Sequence, residues 1–345
     1  MKKYKVAVVG YGNVAKAHIT ALNATTRAEV TAVQSSRSLD AAELSARHGG
    51  SIRIFASLDE LLSSREIDAV SICGYPHQHA EQAVAAASAG KHVILEKPIG
   101  LSAAEAQAVE RAVAQAGVRT CVCFELRFSN QMIVTKSFLD AGWLGTLHYG
   151  EIDYYHGIGP WSGQYRWNTR KASGGSSLLS AGCHALDALL LCMGGKVRTV
   201  TSLATRSRSE LFAAYEYPTT SVTLLNFEDG RIGKVASVID SLQPYYLHTH
   251  LVGSEGSLLD DKFYSRKLGG LDRHQWSRLG LKLADSGDVR DHPYRTQFEA
   301  FFEALDRGED MPLTSLRESL ETHRVILAAD LSSSRGEPVP VEEVT

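Results

Sequence analysis

A short glycine turn near the start of the chain constrains its fold more than any other feature. After the apolar run Val6–Val9 the chain reads Gly10-Tyr11-Gly12-Asn13-Val14-Ala15 and continues in a helical pattern. Glycines here permit a tight turn and the close approach of a pyrophosphate, whose charge the free N–H groups of a helix N-terminus stabilise. The pattern predicts a dinucleotide site at Gly10, Gly12, Asn13, Val14 and Ala15. A tight turn without a ligand is the competing interpretation.

The first part of the chain alternates short apolar runs with Ala-rich amphipathic stretches, which is the pattern of repeated βαβ units. The predicted strands are Lys5–Val9, Val30–Gln34, Ala69–Cys73, His92–Leu95 and Thr120–Phe124. The predicted helices are Ala15–Ala24, Ala41–His48, Leu58–Ser63, His79–Ala89 and Ala103–Gln115. We therefore expect an α/β Rossmann domain with a doubly wound parallel sheet over residues 1–124.

The pattern changes after Gly145, where strand-like segments follow one another with a single helix among them. The predicted strands are Leu147–Tyr155, Val197–Thr205, Thr220–Phe227, Gly233–Val238, Tyr246–Val252 and Gly256–Asp260. The predicted helices are Ser177–Met193, Tyr294–Arg307 and Leu316–Ser333, and the polar stretch Arg266–Pro293 is predicted to be a loop. These elements predict an α+β domain over residues 125–345 with a large, mostly antiparallel open sheet, and a C-terminal helix able to pack back on the first domain.

Charge and cysteine content narrow the classes of partner. Lys plus Arg (36) nearly balances Asp plus Glu (39), and no run of like charge could follow a phosphate backbone or an anionic membrane. The five cysteines form no CxxC pair, and Cys183 beside His184 lacks a third ligand at metal-binding spacing. The apolar run Val6–Val9 is too short for the core of a signal peptide, so we expect none, and the sequence has no apolar stretch of about 18 residues. We expect a cytoplasmic enzyme with no metal, nucleic-acid or membrane partner.

The residues after the second strand bear on the choice of cofactor. An acidic residue would be expected there if the ribose 2′-hydroxyl of NAD were held in the usual way, but the chain has Ser35, Ser36 and Arg37. Two hydroxyls and a guanidinium could instead receive a 2′-phosphate through charge-assisted hydrogen bonds. The segment favours NADP over NAD, although a polar loop with an exposed arginine is the simpler interpretation.

Four further segments together resemble the Gfo/Idh/MocA family of sugar and cyclitol dehydrogenases. The most specific is the strand Gly90–Leu95 followed by Glu96-Lys97-Pro98. The others are Tyr75-Pro76-His77-Gln78-His79, then Glu125-Leu126-Arg127-Phe128, and the stretch from Gly174 to Asp187 that contains Gly175, Gly182 and His184. The resemblance extends over nearly the whole chain.

The resemblance implies a Rossmann domain followed by an open sheet whose exposed face forms homodimers or homotetramers. It also implies that Lys97 is the active-site lysine and that His184 faces the substrate hydroxyl. Cofactor contacts are implied for Pro76, His77, His79, Glu96, Lys97 and Arg127. One position departs from the pattern, because Ser180 stands where such enzymes usually carry Asp. Serine can hydrogen-bond but cannot act as a carboxylate base, so the substrate or net reaction could be atypical.

Oxidation of a secondary alcohol needs a group that takes the hydroxyl proton near neutral pH. Histidine meets this requirement without tuning, and lysine meets it when its pKa is lowered. We predict that His184 transfers the proton and that Lys97 polarises the oxygen or shares the proton; the reverse assignment stays open. Ser180, His184 and Asp187 form one polar stripe on an apolar helix. Asp187 is expected to orient the imidazole, and a core histidine satisfied by Asp187 is the alternative.

An aromatic, glycine-rich stretch before that helix offers flat apolar faces with polar edges, as a sugar pocket needs. Tyr154, His156, Trp161 and Arg166 are the predicted substrate-side residues, joined by Lys97, Ser180 and His184. Aromatic side chains that only anchor the loop are an equal alternative.

Three functions remain. The first is an NAD(P)-dependent oxidoreductase that transfers a hydride between the nicotinamide and a secondary hydroxyl or ketone of a sugar, glycoside or cyclitol. The second is redox-neutral glycoside cleavage or hydration through a transient keto intermediate with tightly bound NAD, which Ser180 keeps open. The third is a cofactor-sensing binding protein, against which the presence of both Lys97 and His184 argues.

Overall fold

The computed structural model of the chain describes residues 3–344; Met1, Lys2 and Thr345 lie outside the described residues. The described chain forms two compact units. The first runs to Glu125 and also contains Asp288–Leu320, whereas the second comprises Leu126–Gly287 and the chain from Glu321 onward. The predicted boundary between independently folding domains, after residue 124, stays a prediction.

The first unit is built on a six-stranded parallel sheet in the order β3-β2-β1-β4-β5-β6. Its strands are β1 (Tyr4–Val9), β2 (Ala28–Gln34), β3 (Arg53–Phe55), β4 (Ala69–Ile72), β5 (His92–Leu95) and β6 (Thr120–Val122). The helices between them are α1 (Asn13–Asn23), α2 (Ala41–His48), α3 (Leu58–Ser63), α4 (Pro76–Ser88) and α5 (Ala103–Ala116). This strand order is that of the doubly wound dinucleotide-binding fold, so the predicted fold class is confirmed.

Local capping explains why several helices begin and end where the sequence predicts. The Asp40 side chain accepts a hydrogen bond from the Glu43 amide (2.8 Å) at the start of α2. Ser102 and Glu105 form a reciprocal capping box at the start of α5, and Gly117 ends that helix in the left-handed region. Each cap satisfies backbone groups that the helix itself leaves without a partner.

The second unit is built on a nine-stranded sheet in the order β14-β13-β12-β11-β7-β10-β9-β8-β15. Only β7 and β10 run parallel among its pairs. Its strands are β7 (Leu147–Tyr155), β8 (Val197–Thr205), β9 (Thr220–Phe227), β10 (Ile232–Val238), β11 (Tyr246–Gly253), β12 (Gly256–Leu259), β13 (Lys262–Ser265), β14 (Ser277–Arg278) and β15 (Val339–Pro340). Its helices are α6 (Asn130–Asp140), α7 (Tyr165–Asn168), α8 (Lys171–Gly174) and α9 (Cys183–Met193). The predicted large, mostly antiparallel sheet is confirmed.

Helix α9 packs closely on this sheet because glycines face it. A β-carbon at Gly150 on β7 would lie 2.6 Å from the Met193 sulfur, and one at Gly233 on β10 would lie 3.1 Å from Leu189. The predicted single helix Ser177–Met193 instead begins with a π-helical turn, Leu178–Gly182. By length and composition the helical run Lys171–Met193 could cross a membrane, but 83% of its apolar window is buried, as in a core helix.

Two helices follow the long loop near the end of the chain, α10 (Tyr294–Asp306) and α11 (Leu316–Arg335). Helix α10 belongs to the first unit, where it packs against α1. The Tyr294 and Phe298 rings lie 4.5 and 5.0 Å from the His18 imidazole, measured between ring centroids. Helix α10 therefore closes one side of the first unit's core.

Candidate active site

The glycine turn of the first unit has the shape that a pyrophosphate site requires. Gly10 has a φ of +87°, and a β-carbon there would lie 3.0 Å from the Cys73 carbonyl oxygen. Gly12 caps α1 without a side chain, and a β-carbon on it would meet nothing within 4 Å. The first residues of α1, Asn13, Val14 and Ala15, thus follow a turn that leaves open space at the helix N-terminus. The residues fit a bound dinucleotide.

Arg37 lies against this turn. Its guanidinium Nη2 donates a hydrogen bond to the Tyr11 carbonyl oxygen, although the residue is exposed. Its backbone amide donates to the Ser35 hydroxyl (3.1 Å), and Ser36 is exposed beside it. A cation and two hydroxyls therefore lie at the end of β2, next to the glycine turn.

The three predicted cofactor residues after β4 lie in the first turn of α4, where Pro76 and His79 are buried and His77 is exposed. Pro76 is the first residue of α4, and His77 stacks on the exposed Tyr75 ring with 5.8 Å between centroids. His79 is 1% exposed, and its Nδ1 donates to the Pro98 carbonyl oxygen (2.7 Å). Burial lowers the pKa of His79, which keeps the ring neutral. In the structure His79 therefore contacts the Lys97-Pro98 segment, which contains a cis peptide bond. A contact between His79 and the cofactor stays a prediction.

Glu96, the residue before Lys97, is held by a buried hydrogen-bond network. Its Oε1 lies 2.9 Å from His18 Nε2 and accepts a bond from the Tyr294 hydroxyl (3.0 Å). Burial alone lowers the pKa of His18, but the Cys73 sulfur and the Glu96 carboxylate outweigh it and raise that pKa to about 10. His18 and Glu96 therefore form a buried ion pair that fixes the end of β5, directly before Lys97.

We expect His18→Gln to lower the free energy of unfolding by about 2 kcal/mol at pH 7, because a charged hydrogen bond to Glu96 is lost. The folded pKa of His18 lies above its unfolded value near 6.5. The stability that the His18–Glu96 ion pair contributes is therefore fully present below about pH 6.5, and it is lost as the pH rises toward 10. Chemical denaturation of both proteins across this range measures it.

A matched control for His18→Gln is His48→Gln on α2. Burial lowers the pKa of His48, so this histidine cannot contribute stability that requires its charge at neutral pH. A stability difference between wild type and His18→Gln that stays constant from pH 6 to pH 10 would contradict the ion-pair interpretation.

A second buried pair in the first unit was not predicted. His292 Nδ1 lies 2.7 Å from Glu125 Oε1, and the carboxylate is fully buried. Burial lowers the pKa of His292, but the Glu125 carboxylate outweighs it and raises the pKa; the Lys97 charge acts in the opposite direction. His292 lies in the polar stretch that the sequence predicted to be a loop, and nothing in that stretch marks it as functional.

In the second unit, Ser180 and His184 both lie on the buried helical segment and are each 4% exposed. Ser180 falls within the π-helical turn that begins this segment. The His184 imidazole stacks with the Tyr154 ring, with 6.3 Å between centroids and 25° between planes. The structure therefore brings His184 next to one of the predicted substrate-side residues.

Asp187, one turn beyond His184, has other partners than the predicted imidazole. Its Oδ2 accepts from Arg127 Nε (2.7 Å) and its Oδ1 from Arg127 Nη2 (2.6 Å). Oδ1 also accepts from the Thr322 hydroxyl (2.8 Å). Arg127 and Asp187 thus form a buried, two-pronged ion pair inside the second unit. A contact between Arg127 and the cofactor stays a prediction.

The aromatic stretch after β7 builds one wall of an open cavity of about 440 Å³. The Tyr154 hydroxyl bonds His156 Nδ1 (3.0 Å), and both rings meet Tyr245 edge-on at 5.3 Å. Trp161 also faces the cavity, whereas Arg166 is exposed on α7 and does not line it. The complete lining is His156, Gly157, Trp161, Ser241, Leu242, Gln243, Tyr245 and Gly287.

The sequence did not predict the far wall of this cavity. Ser241, Leu242, Gln243 and Tyr245 lie in the connection between β10 and β11. An available signal was the aromatic pair Tyr245-Tyr246 after Pro244, which resembles the aromatic stretch already singled out. Only the fold brings this turn and Trp161 into the lining of one cavity.

Two family models match the chain, one in each unit. Residues 4–124 match the model of an oxidoreductase family with an NAD-binding Rossmann fold, and residues 132–259 match the Gfo/Idh/MocA C-terminal domain.

Two relatives and one solved structure illustrate the likeness. The scyllo-inositol 2-dehydrogenase (NAD(+)) of Bacillus subtilis is 26% identical, over 82% of this chain and 80% of its own. The D-xylose 1-dehydrogenase (NADP(+)) 2 of Haloferax volcanii is 26% identical, over 84% of this chain and 85% of its own. A levoglucosan dehydrogenase solved with NADH and levoglucosan superposes with a TM-score of 0.84 at 20% identity, covering 99% of this chain and 100% of that one.

Proposed function

Since the chain belongs to the Gfo/Idh/MocA family of oxidoreductases, we propose that it oxidises a secondary hydroxyl of a sugar, glycoside or cyclitol, or reduces the matching ketone, with NADP(H) as the preferred cofactor. Its relatives are NAD(P)-dependent dehydrogenases that act on CH–OH groups. The observation that carries the proposal is the open glycine turn between β1 and α1, in a sheet of the dinucleotide-binding strand order. A small polyhydroxy molecule is the expected partner.

In the proposed site, Gly10, Gly12 and the N-terminus of α1 bind the pyrophosphate, and Pro76, His77 and Glu96 border the rest of the cofactor. The nicotinamide, when bound, accepts or supplies the hydride. His184 takes the hydroxyl proton at an imidazole nitrogen, and the Lys97 ammonium polarises the same oxygen. The buried network around Glu96 supports this assignment for Lys97, because it fixes the backbone immediately before it.

Tyr154 and Ser180 are proposed to position His184 and the substrate. The Tyr154 ring stacks on His184, which limits rotation of the imidazole. Ser180 is buried four residues before it and presents a hydroxyl rather than the usual carboxylate. His184 is therefore proposed to act without a carboxylate at that position.

The preference for NADP over NAD can be tested at Arg37. We expect Arg37→Ala to raise the dissociation constant for NADP⁺ by about tenfold, because a charge-assisted hydrogen bond to the 2′-phosphate is lost. The dissociation constant for NAD⁺ should change little. Titration calorimetry with each nucleotide measures both.

Arg47→Ala on α2 is the matched control, since Arg47 is exposed and pairs with Glu43. It should leave both dissociation constants unaltered. If Arg37→Ala binds NADP⁺ as tightly as the wild type, the 2′-phosphate assignment is wrong.

We also propose that the chain forms a homodimer or homotetramer through its nine-stranded sheet. The face of the sheet opposite its buried side carries exposed apolar residues on three neighbouring strands, namely Leu203, Val222, Leu224 and Ile232. A contiguous exposed apolar surface favours association. Sedimentation velocity tests this, and a single species of 37.5 kDa would contradict it. A cytoplasmic location is part of the same proposal.

The first experiment is to release and identify any nucleotide in the purified protein. Sugars and cyclitols are then screened for a change in absorbance at 340 nm with NAD⁺ and with NADP⁺. A substrate-dependent rise supports the dehydrogenase. Bound NAD⁺ with no rise for any polyol would favour redox-neutral glycoside chemistry, which the dehydrogenase relatives do not favour.

A further inference from the structure

We infer that the cavity between the Trp161 stretch and the β10–β11 connection is a second sugar subsite, so that the substrate is a neutral glycoside whose substituent ring occupies this cavity. The inference rests on the proposed function, because it assigns the reacting ring to His184. It goes further in assigning a substrate class and in distinguishing a glycoside from a free monosaccharide.

The cavity lies one aromatic ring away from His184. The Tyr154 ring stacks on His184 with 6.3 Å between centroids, and the Tyr154 hydroxyl bonds His156 Nδ1 (3.0 Å). His156 in turn forms part of the cavity wall. A ligand that reacts at His184 and extends past Tyr154 therefore reaches the cavity with a second ring.

Trp161 provides a fixed flat surface in this cavity. Its indole Nε1 donates to the Gly157 carbonyl oxygen (3.0 Å), and its ring lies so close to Gly159 that a β-carbon there would approach it to 2.4 Å. The Phe212 ring supports it edge-on at 6.0 Å. The indole is thus held in one orientation while 60% of the side chain stays exposed. A preorganised aromatic face costs little entropy when a sugar ring stacks on it.

The remaining lining matches a neutral polyhydroxy ring. Ser241 and Gln243 supply a hydroxyl and an amide, which can donate and accept hydrogen bonds, and Tyr245 supplies a ring edge. Leu242, 68% exposed, adds apolar surface to the lining. No Asp, Glu, Lys or Arg is among the eight residues that line the cavity. With His156 as the one titratable cation in this lining, a neutral ring fits it better than a phosphorylated or carboxylated one.

The volume of the cavity is also suitable for a small molecule such as a sugar ring. About 440 Å³ falls within the range of small-molecule sites, roughly 300–1,000 Å³. The Gly287 backbone closes the cavity beside His156, since a β-carbon there would lie 2.8 Å from His156 Nε2. The glycine keeps the room that a ring needs at this wall.

The test compares free sugars with their glycosides in binding, without turnover. Glucose, galactose, mannose and xylose are paired with cellobiose, lactose, mannobiose and xylobiose, in which the same sugar carries a second sugar ring, and are titrated by saturation-transfer NMR with no oxidised nucleotide added. We expect at least one glycoside to bind about tenfold tighter than its free sugar, a difference of about 1.4 kcal/mol. In Trp161→Ala the ratio of the two dissociation constants should fall to within about twofold.

Trp276→Ala is the matched control, because Trp276 is also an exposed tryptophan of the second unit but does not line the cavity. It should retain the tenfold ratio. The inference is overturned if no glycoside binds more tightly than its free sugar, or if Trp161→Ala leaves the preference intact.

The two proposals fail in different ways. If the dehydrogenase proposal is wrong, no polyol changes the absorbance at 340 nm, yet the glycoside preference and its loss in Trp161→Ala persist. If the subsite is wrong, free sugars are oxidised and no glycoside is preferred.

Discussion

Replacing Lys97 with alanine is expected to lower kcat/KM for alcohol oxidation by about 10²- to 10⁴-fold, the usual contribution of a positioned acid–base group. The polyol that gives the largest rise at 340 nm in the screen serves as substrate. The dissociation constant of the dinucleotide, measured by titration calorimetry, should change by less than about threefold, because we propose that the backbone of the glycine turn holds the pyrophosphate.

The surroundings of Lys97 explain why a large effect is expected from one side chain. The preceding Glu96 is fixed by His18 and Tyr294, and the Pro98 carbonyl oxygen accepts from the buried His79. Lys97 itself is only half-buried. A rigid backbone is what a positioned catalytic residue needs, because misplacement by about 1 Å can cost 10²-fold in rate.

Lys136→Ala is the control for Lys97→Ala, since Lys136 is an exposed lysine on α6 that pairs with Asp140. It should retain full turnover and full dinucleotide binding. If Lys97→Ala loses nucleotide affinity but turns over normally at saturating nucleotide, Lys97 is a cofactor residue and not an acid–base group.

Local signals made much of the fold predictable. Helix α2 has the predicted bounds because Asp40 caps its start and Gly49 follows its end. Strands β7, β8 and β9 have the predicted bounds because their side chains alternate between the two faces of the sheet. Helix α6 was missed, although Ser129 caps it by accepting from the Met132 amide (3.2 Å). The short strands β3, β13 and β14 carry too few residues for a period to show.

The site could be proposed from the sequence wherever chemistry and sequence neighbours coincide, as in the glycine turn and the His184 helix, whose roles stay predictions. It was not predictable where partners come from distant segments. The His292–Glu125 pair, the Arg127–Asp187 pair and the wall at Tyr245 each join residues with no shared local pattern. The helical spacing of the two residues predicted that Asp187 orients the His184 imidazole. In the structure Asp187 instead binds the Arg127 guanidinium, which forms stronger, two-pronged hydrogen bonds with a carboxylate.

Replacing Arg127 with methionine is expected to lower the free energy of unfolding of the nucleotide-free protein by about 3–5 kcal/mol, since the Asp187 carboxylate stays buried without its cation. The side chains of Arg127 and Asp187 are only 7% and 2% exposed, so water cannot replace the lost partner. Asp187 would retain its hydrogen bond from Thr322, which is too little to stabilise a full charge. Denaturant unfolding followed by circular dichroism measures the change.

The double variant Arg127→Met with Asp187→Leu separates the ion pair from other roles of the arginine. Removing both charges leaves no buried carboxylate, so the double variant should recover most of the lost stability, and the double-mutant cycle should give a coupling of at least about 2 kcal/mol. Arg127 was also predicted to contact the cofactor. Unchanged stability of nucleotide-free Arg127→Met, together with weaker dinucleotide binding, would show that the arginine serves the cofactor and that the pair with Asp187 is dispensable for the fold of the second unit.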